Sequence, residues 1–360
     1  MRKLSRVVMA LKSGKALLVG IDVGSDWSVI CFLDEDGNVI EMSRMSSTSV
    51  ALEKIFGGLP AMRIVFESGG HANWMRRRLV ALGHEVTVAD PRRLKLLWDS
   101  HSKDDKRDAR FLAEVLLYCP QMLHAVEPRS LESEQNRALL RLRASLVEAR
   151  VKLINSVRGV LKSFGERLPS STSEAFVRMA SPRLSDELRP QAYPALLTIE
   201  ALTAQIKVYD KRVLELCNGR YREATERLRT IPGVGPLTAL TFVLELDGEV
   251  SRLSNSRAAG ALVGLRPSRR ESGKSKPELG ITKLGNAMLR RYLVQSAQYM
   301  LGHFGCDCAL RRWGLKLAGD TKRGKKRAVV AVARKLAVLL HTLWRKGVDF
   351  DPAYGLEQAA

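Results

Sequence analysis

Four acidic residues in the first third of the chain have the types and spacing of a metal site. Asp22 follows the apolar run that starts at Ala16, and Glu67 ends the segment Arg63-Ile64-Val65-Phe66-Glu67. Asp105 and Asp108 are three positions apart. Carboxylate oxygens suit hard divalent cations, and two ions ~3.5 to 4 Å apart can activate the attacking oxygen of a phosphodiester and stabilise the leaving one. The four acids therefore predict Mg²⁺-dependent phosphodiester chemistry.

Alternating strands and helices would have to position these acids. Residues 17–40 are typical of a β-hairpin, and 63–66 and 85–89 of further strands, which indicates an α/β sheet. Ligand sites in such sheets lie at the carboxyl ends of strands, so Asp22 and Glu67 should share one edge. If a helix begins near residue 105, Asp105 and Asp108 project from one of its faces.

Each acid also has an ordinary structural interpretation. An Asp at a strand end often forms a turn, and Asp104 or Asp105 could cap a helix. The segment Gly20-Ile21-Asp22-Val23-Gly24-Ser25 is in addition similar to the first phosphate loop of actin and sugar-kinase ATPases. The second loop and the adenosine site of that class have no match, which disfavours ATP as a ligand.

The charge of the chain points to a polyanionic partner. Lys and Arg number 59 against 38 Asp and Glu, a formal net charge of +21. Such a positive field concentrates nucleic acids through counterion release. The cations are spread along the chain and Arg334 and Lys335 interrupt the longest late apolar stretch, so no membrane partner is expected. Five scattered cysteines favour a reducing compartment, the cytoplasm.

The middle of the chain reads as two long amphipathic helices. Residues 131–164 and 193–228 could pair as an antiparallel arm, or pack within one domain. After residue 228 the chain is mainly helical, glycine-punctuated and basic. The first of the two helices has an apolar stripe at three- and four-residue spacing: Leu139, Leu142, Leu146, Ala149, Leu153, Val157, Val160 and Phe164.

Two glycine-rich or basic segments of the last third could contact nucleic acid. Residues 231–239 are similar to a helix-hairpin-helix turn, in which Gly233 and Gly235 would let the backbone approach a phosphate; a plain tight turn is the alternative. Ser272 lies among cations that could stabilise the charge of a phosphate under attack, although such a segment is usually a solvated linker. The cations of this region are Arg269, Arg270, Lys274, Lys276 and Lys283.

His303, Cys306 and Cys308 are close in sequence, but the second ligand pair of a zinc site is missing.

Taken in order, these segments resemble the insertion sequence 110 family of transposases, also called DEDD transposases or bridge-RNA-guided recombinases. The resemblance covers most of the chain. In the first half it rests on Gly20-Ile21-Asp22, Phe66-Glu67-Ser68-Gly69-Gly70 and Lys103-Asp104-Asp105-Lys106-Arg107-Asp108-Ala109. In the second half it rests on Ile231-Pro232-Gly233-Val234-Gly235, Gly264-Leu265-Arg266-Pro267, Glu271-Ser272-Gly273 and Thr282-Lys283-Leu284-Gly285-Asn286.

The patterns along the chain and the resemblance together predict a domain plan, with an N-terminal extension longer than expected for the family. A basic extension (1–16) would precede an α/β RuvC-like (RNase H-like) DEDD domain (17–128), a coiled-coil-like helical arm (129–227) and a mainly α transposase domain with the helix-hairpin-helix-like turn (228–360).

The resemblance also implies a chemistry. Asp22, Glu67, Asp105 and Asp108 would bind Mg²⁺, with Mn²⁺ as the alternative, and Ser272 would be the nucleophile that forms a phosphoserine link to DNA. The family pattern usually has Thr where Asp104 stands, and the spacing of three to Asp108 selects Asp105 as the ligand.

The partners implied are target and donor DNA, a structured noncoding guide RNA and further copies of the chain. Dimers or tetramers would form, with the DEDD domain of one subunit completing the site around the serine of another. The expected location is the prokaryotic cytoplasm, at the nucleoid during the reaction.

The sequence therefore predicts a DNA transposase that cuts and rejoins the strands of an insertion sequence. A RuvC-like structure-specific endonuclease, or junction resolvase, without a covalent intermediate is the first alternative. A catalytically inert nucleic-acid-binding protein is the second.

Overall fold

A computed structural model describes residues 5–94, 104–268 and 279–353 of the chain. The chain divides into two compact units, Met1–Arg129 and Ser130–Ala360. The finer division of the sequence into four parts stays a prediction.

The first unit is built around a mixed sheet. Its order is β3-β2-β1-β4-β5, with β1–β2 and β2–β3 antiparallel and β1–β4 and β4–β5 parallel. This is the RNase H-like strand order, and it confirms the predicted α/β class of the first unit. The strands are β1 Leu18–Val23, β2 Trp27–Leu33, β3 Val39–Ser46, β4 Arg63–Glu67 and β5 Glu85–Ala89.

Both faces of the central strands are buried, which explains their nearly continuous apolar sequence. Val19 and Ile21 of β1 join one core, whereas Leu18 of the same strand joins another on the opposite face. The helices of this unit are α1 Ser5–Lys12, α2 Ser49–Phe56, α3 Ala72–Ala81, α4 Pro91–Leu94 and α5 Asp105–Tyr118.

The basic N-terminal extension contains α1, and this helix packs on the sheet. Val7 is fully buried in the core that also contains Val19 and Ile21. Lys15 forms an ion pair of 2.8 Å with Asp34, whose side chain is almost fully buried. That ion pair holds the pKa of Asp34 at about 2, mainly through the hydrogen bond from Lys15.

The second unit is mainly helical, as predicted. Its long helices are close to their predicted positions, but the predicted helix 193–228 is broken after Asn218, where Gly219 ends one helix and Arg222 begins the next. The helices are α6 Leu131–Ser163, α7 Phe176–Ala180, α8 Arg189–Asn218, α9 Arg222–Arg229, α10 Pro236–Glu245, α11 Ala259–Leu262, α12 Ala287–Leu301, α13 Ala309–Ala318 and α14 Lys322–Lys346.

Helices α6 and α8 pack against each other through a seam that differs from the predicted stripe. The buried apolar side chains of α6 are Leu140, Ile154, Val157 and Leu161. Of the predicted stripe only Val157 is buried, and Leu142 is 56%, Val160 51% and Phe164 67% exposed. Leu139 and Leu153 pack partly buried against the cores, so the predicted stripe is packed in part and leaves Leu142, Val160 and Phe164 facing outward.

The largest core of the second unit lies around α10. Residues 238–245 of this helix are all buried, and α12 and α14 pack around them. Within the described residues no helix is both long enough and apolar enough to cross a membrane. The five cysteines are free thiols.

Candidate active site

The sheet of the first unit places Asp22 and Glu67 side by side. Strands β1 and β4 are parallel neighbours, and Ile21 pairs with Phe66. Asp22 and Glu67 are the next residues along their strands, at the carboxyl ends. Since they occupy the same position in the alternation of two neighbouring strands, their side chains project from the same face of the sheet.

Helix α5 covers that face because Gly20 lets it approach closely. A Cβ built on Gly20 would lie 2.0 Å from the carbonyl oxygen of Ala109 and 2.6 Å from the backbone nitrogen of Ala113. Gly20 and Asp22 are two residues apart on β1 and so share a face. The close crossing at Gly20 therefore brings Asp108, one residue before Ala109 on α5, to the edge that carries Asp22 and Glu67, whereas Asp105 is not among the charges that act on Glu67.

Asp104 is the N-cap of α5. Its side chain accepts a hydrogen bond of 3.1 Å from the backbone N–H of Lys106, and its carbonyl oxygen accepts one of 3.0 Å from the N–H of Asp108. The capping role that the sequence left open between Asp104 and Asp105 thus belongs to Asp104. Asp105 and Asp108 are the acids of the first helical turn.

Three of the predicted ligands form one electrostatic cluster. The pKa of the Glu67 carboxyl is raised above its ordinary value, first because surrounding protein removes part of its solvation, and then because of the charges of Asp22 and Asp108. Glu67 nevertheless remains exposed, so a ligand can reach it. The structure therefore brings Asp22 and Asp108 close enough to repel the Glu67 carboxylate, a repulsion that a bound cation would relieve.

The side chains are not arranged as a finished metal cage. Across residues 5–94, 104–268 and 279–353, no three His, Cys, Asp or Glu side chains are close enough to hold a metal ion together. The donor chemistry still fits a divalent cation, because the clustered groups are carboxylates and the charges of Asp22 and Asp108 disfavour the ionised form of Glu67. Coordination would require these side chains to draw closer.

In the second unit, the structure describes both ends of the segment that contains Ser272. Ser272, Arg269, Arg270, Lys274 and Lys276 themselves lie outside the described residues. Pro267 and Ile281 form an antiparallel bridge, the Ser268 N–H donates to the Gly280 carbonyl at 2.8 Å, and the Thr282 N–H donates to the Arg266 carbonyl at 2.9 Å. The two ends of the segment are thus held together as a short ladder.

Two glycines make this ladder possible. Gly264 and Gly285 both have positive φ angles, and a Cβ on Gly264 would lie 2.0 Å from the Leu284 carbonyl oxygen. A Cβ on Gly285 would lie 1.9 Å from the Leu262 carbonyl oxygen. Lys283, between them in space, is exposed and donates its backbone N–H to the Gly264 carbonyl at 3.0 Å. Any side chain at either glycine would force the two strands apart.

The predicted glycine turn lies between α9 and α10. Gly233 has a φ of +84°, and a Cβ there would meet the Tyr299 ring at 2.9 Å and the Ser296 carbonyl at 3.0 Å. Packing against α12 therefore accounts for Gly233. Gly235 is the N-cap of α10, provides no side-chain cap and has open space around its Cα. Gly235 and the first turn of α10 line a surface groove, and the N–H groups of that turn have no partner within the helix.

Comparisons with known proteins agree with the two halves of this structure. Residues 19–165 match a transposase family model of the DEDD type found in IS110 elements, and residues 225–310 match the family model described as transposase IS116/IS110/IS902 family. The chain is 30% identical to a transposase of insertion sequence element IS1328 from Yersinia enterocolitica, over 93% of this chain and 98% of that protein. The chain belongs to the IS110/IS116/IS902 family of transposases.

Two further relatives align with this transposase over most of both chains. It is 29% identical to the transposase for insertion sequence element IS1111A of Coxiella burnetii, over 91% of this chain and 89% of that protein. It is 26% identical to a probable family 20 transposase of Pseudomonas aeruginosa, over 93% and 98%. Its activity is accordingly DNA strand cleavage and transfer, and its DEDD type implies a divalent metal ion.

One polar contact of the transposase had no signal in the sequence. Glu245 is buried at the end of α10, where its carboxylate accepts hydrogen bonds from Arg137 of α6 at 2.5 Å and from Asn286 at 2.7 Å. Asn286 in turn caps α12 by accepting from the Leu289 N–H at 3.0 Å. These residues lie far apart in the chain, so only the fold connects the arm to the end of the Ser272 segment.

Proposed function

We propose that this transposase cuts and rejoins DNA through a covalent serine–DNA phosphodiester. Ser272 is the nucleophile, and Asp22, Glu67, Asp105 and Asp108 hold the divalent ion, Mg²⁺ or alternatively Mn²⁺. The observation that carries the proposal is the meeting of a strand-end Asp, a strand-end Glu and the first turn of α5 at one edge of an RNase H-like sheet. That edge provides only hard oxygen donors, as phosphodiester chemistry with Mg²⁺ requires.

Bound at this edge, the divalent ion would supply charge neutralisation for the reacting phosphate. The side chain of Ser272 provides the attacking oxygen: its Oγ–phosphorus bond forms while a phosphorus–oxygen bond of the DNA strand breaks. The hydroxyl proton leaves Ser272, and the departing strand end takes up a proton as its hydroxyl. Arg269, Arg270, Lys274 and Lys276 stabilise the negative charge of the pentacovalent state.

Rejoining is the reverse reaction with a different strand end. The incoming hydroxyl attacks the phosphoserine, the bond to Ser272 breaks, and the serine regains its proton. The energy of the cut phosphodiester is retained in the covalent link, so no external energy source is needed. A water-activated nuclease would lose that bond energy to hydrolysis.

Contacts with the sugar-phosphate backbone are assigned to the glycine turn and to Lys283. The helix-hairpin-helix-like turn would offer a phosphate the backbone N–H groups of Leu237 and Thr238, the first after Pro236, while Gly233 fixes the turn by packing on α12. Lys283 is an exposed cation beside the ladder that ends the Ser272 segment. These contacts position DNA without reading its sequence. Sequence choice is assigned to a structured guide RNA that pairs with target and donor DNA.

Assembly into a dimer or tetramer is assigned to the arm. The exposed stripe of α6 contains Leu142, Val160 and Phe164, and large apolar side chains at helical spacing on a free surface are typical of interaction sites. In such an assembly the metal edge of one subunit would complete the site around the serine of another.

A RuvC-like junction resolvase remains the second candidate, because the described acids all belong to the RNase H-like unit and could act on water without Ser272. Denaturing gels of full-length protein mixed with labelled DNA from an element end distinguish the two. A protein–DNA band is expected from the wild type and should vanish in Ser272→Ala. Ser275→Ala, three residues away in the same basic segment, should retain it. Strand cutting without any such band would establish the nuclease.

A further inference from the structure

A large groove of the second unit lies beside the two ends of the Ser272 segment, on the surface of α13 and α14. Its volume is about 1710 Å³. Pro267 and Ile281, which form the bridge at the base of that segment, line one wall. Leu310, Trp313 and Val330, partly buried side chains that pack on the main core, form an apolar floor.

The rim of this groove has only one sign of charge. Seven Lys and Arg side chains line it, and no Asp or Glu does so in the described part of the chain. Nor does any of the seven form an ion pair with a carboxylate of the described residues. Helix α14 contributes most of them: Arg323, Lys326, Arg327, Arg334 and Lys335.

The position of these cations in α14 is electrostatically unfavourable for the isolated protein. Arg323 and Lys326 stand in the first turns of the helix, together with Lys322 and Lys325, and the first turn has no acid. Cations there face the positive end of the helix dipole and each other. A bound polyanion would compensate both.

Trp313 indicates what the apolar floor accommodates. The Nζ of Lys335 lies 3.7 Å from the centroid of its ring. Lys335 is exposed, and Trp313 and Lys335 both line the groove. A planar base can take the place of the ammonium on the ring, and Lys335 can then turn to the adjoining phosphate.

We propose that this groove binds a short unpaired stretch of DNA next to the cleaved phosphodiester, with a base stacked on Trp313 and phosphates on the α14 cations. The proposal rests on the proposed function, because the placement of Ser272 at the neighbouring segment is what selects DNA as the strand. Apolar and aromatic side chains surrounded by cations fit bases and phosphates, and the strand is unpaired because the faces of bases in a duplex are already stacked on their neighbours. The groove thus holds the strand end open for attack and for rejoining.

The test measures binding of full-length protein to a fluorescent single-stranded 12-nucleotide DNA by anisotropy. A second probe of equal length has abasic sugars in place of the nucleotides. The wild type should bind the base-bearing strand on the order of tenfold more tightly. Trp313→Leu should abolish that preference, and Trp313→Phe, which keeps an aromatic ring, should retain most of it. Circular dichroism melting checks that both variants fold.

The cations are tested with a matched pair of double variants. Arg323→Gln with Lys326→Gln should weaken both probes alike and reduce the salt dependence of binding. Lys207→Gln with Lys211→Gln removes two exposed cations from α8, away from the groove, and should leave binding of both probes unchanged. If both double variants weaken binding equally, the groove cations act only through general charge attraction, and the proposal is overturned.

Three other outcomes would also overturn it. In the first, Trp313→Leu binds the base-bearing and abasic probes with the wild-type affinities. In the second, Trp313→Leu lowers the oligomeric mass, which would show that the apolar floor contacts a second copy of the chain. In the third, the protein binds an RNA 12-mer more tightly than the DNA 12-mer, which would indicate that the groove holds the guide RNA. The gel assay of Ser272→Ala tests the proposed function separately. If the wild type prefers the base-bearing probe but forms no covalent protein–DNA band, the serine mechanism is wrong and the groove still binds single-stranded DNA.

Discussion

Asp104 and Asp105 are neighbouring acids with different tasks. Asp104 stands outside the helix and satisfies the free N–H of Lys106, so its carboxylate is engaged in a cap. Asp105 stands in the first turn, where the positive end of the helix stabilises an anion and the side chain can point toward a ligand. The spacing of three residues to Asp108 favours Asp105 over Asp104 as the metal ligand. The cap adds a physical reason, because the Asp104 carboxylate already accepts a backbone hydrogen bond.

We expect substitution of Asp105 to affect mainly DNA cleavage and substitution of Asp104 to affect mainly stability. Asp105→Asn should lower DNA cleavage by about 100-fold or more, because removal of groups that merely support metal ligands already costs about 10- to 100-fold. Mg²⁺ should raise the melting temperature of the wild type, and the variant should lose this rise. Asp104→Ala should lower stability by ~0.5 to 2 kcal/mol through loss of the cap, with cleavage by the folded protein largely kept.

Asp104→Asn is the control, since Asn caps a helix about as well as Asp. Cleavage rates and melting curves at several Mg²⁺ concentrations check the set. Loss of Mg²⁺ stabilisation in Asp104→Asn but not in Asp105→Asn would reverse the assignment.

At the residue scale, the sequence could identify the acids but not their immediate surroundings. Strand-end position and helical spacing are local patterns, so Asp22, Glu67, Asp105 and Asp108 could be proposed from the chain alone. The repulsion of Glu67 by Asp22 and Asp108 is a through-space effect between three elements. No local pattern encodes it.

At the scale of elements, the crossing of α5 over β1 is what makes the metal edge. The crossing depends on one absent side chain, because a Cβ at position 20 would collide with the backbone of α5. A glycine in an apolar strand is visible in the sequence, but its helix partner is not. The contact explains why a residue without packing surface lies in the middle of a buried strand.

Gly20→Ala should therefore destabilise the first unit by about 1 to 3 kcal/mol, the usual cost of an added carbon in a packed core. Cleavage should fall as well, since α5 must shift together with Asp105 and Asp108. Gly69→Ala, in the loop after β4, is a matched control because its Cβ would meet no heavy atom within 4 Å. Urea unfolding followed by circular dichroism measures both, and equal stability of the two variants would contradict the close crossing.

Other elements show why sequence patterns reach their limit. Strand β3 was not predicted as a separate strand, because its side chains are mostly half-buried and its apolar alternation is weak. In α6 the predicted stripe and the buried seam run along the same helix at similar spacing. Periodicity can show that a helix is amphipathic, but the partner decides which apolar stripe is buried.

At the scale of the whole molecule, assembly of several copies on DNA would explain both the positive charge and the exposed apolar stripe of the arm. A net charge of +21 keeps free copies of the chain apart, and nucleic acid would reduce that repulsion. The outward stripe of α6 would then be covered by another subunit. Neither feature stabilises the isolated chain.

Leu142→Glu with Val160→Glu should accordingly weaken self-association by at least about tenfold. Burying a Leu or Val side chain contributes roughly 1.5 to 3 kcal/mol, and a carboxylate in its place is costly to desolvate. Ser145→Glu with Asn155→Glu adds the same charge at exposed positions of α6 outside the stripe and should leave association unchanged. Sedimentation velocity at several protein concentrations, with and without DNA, measures the mass. If both pairs give the wild-type mass, the arm stripe is not the interface, and the subunits must meet through another surface.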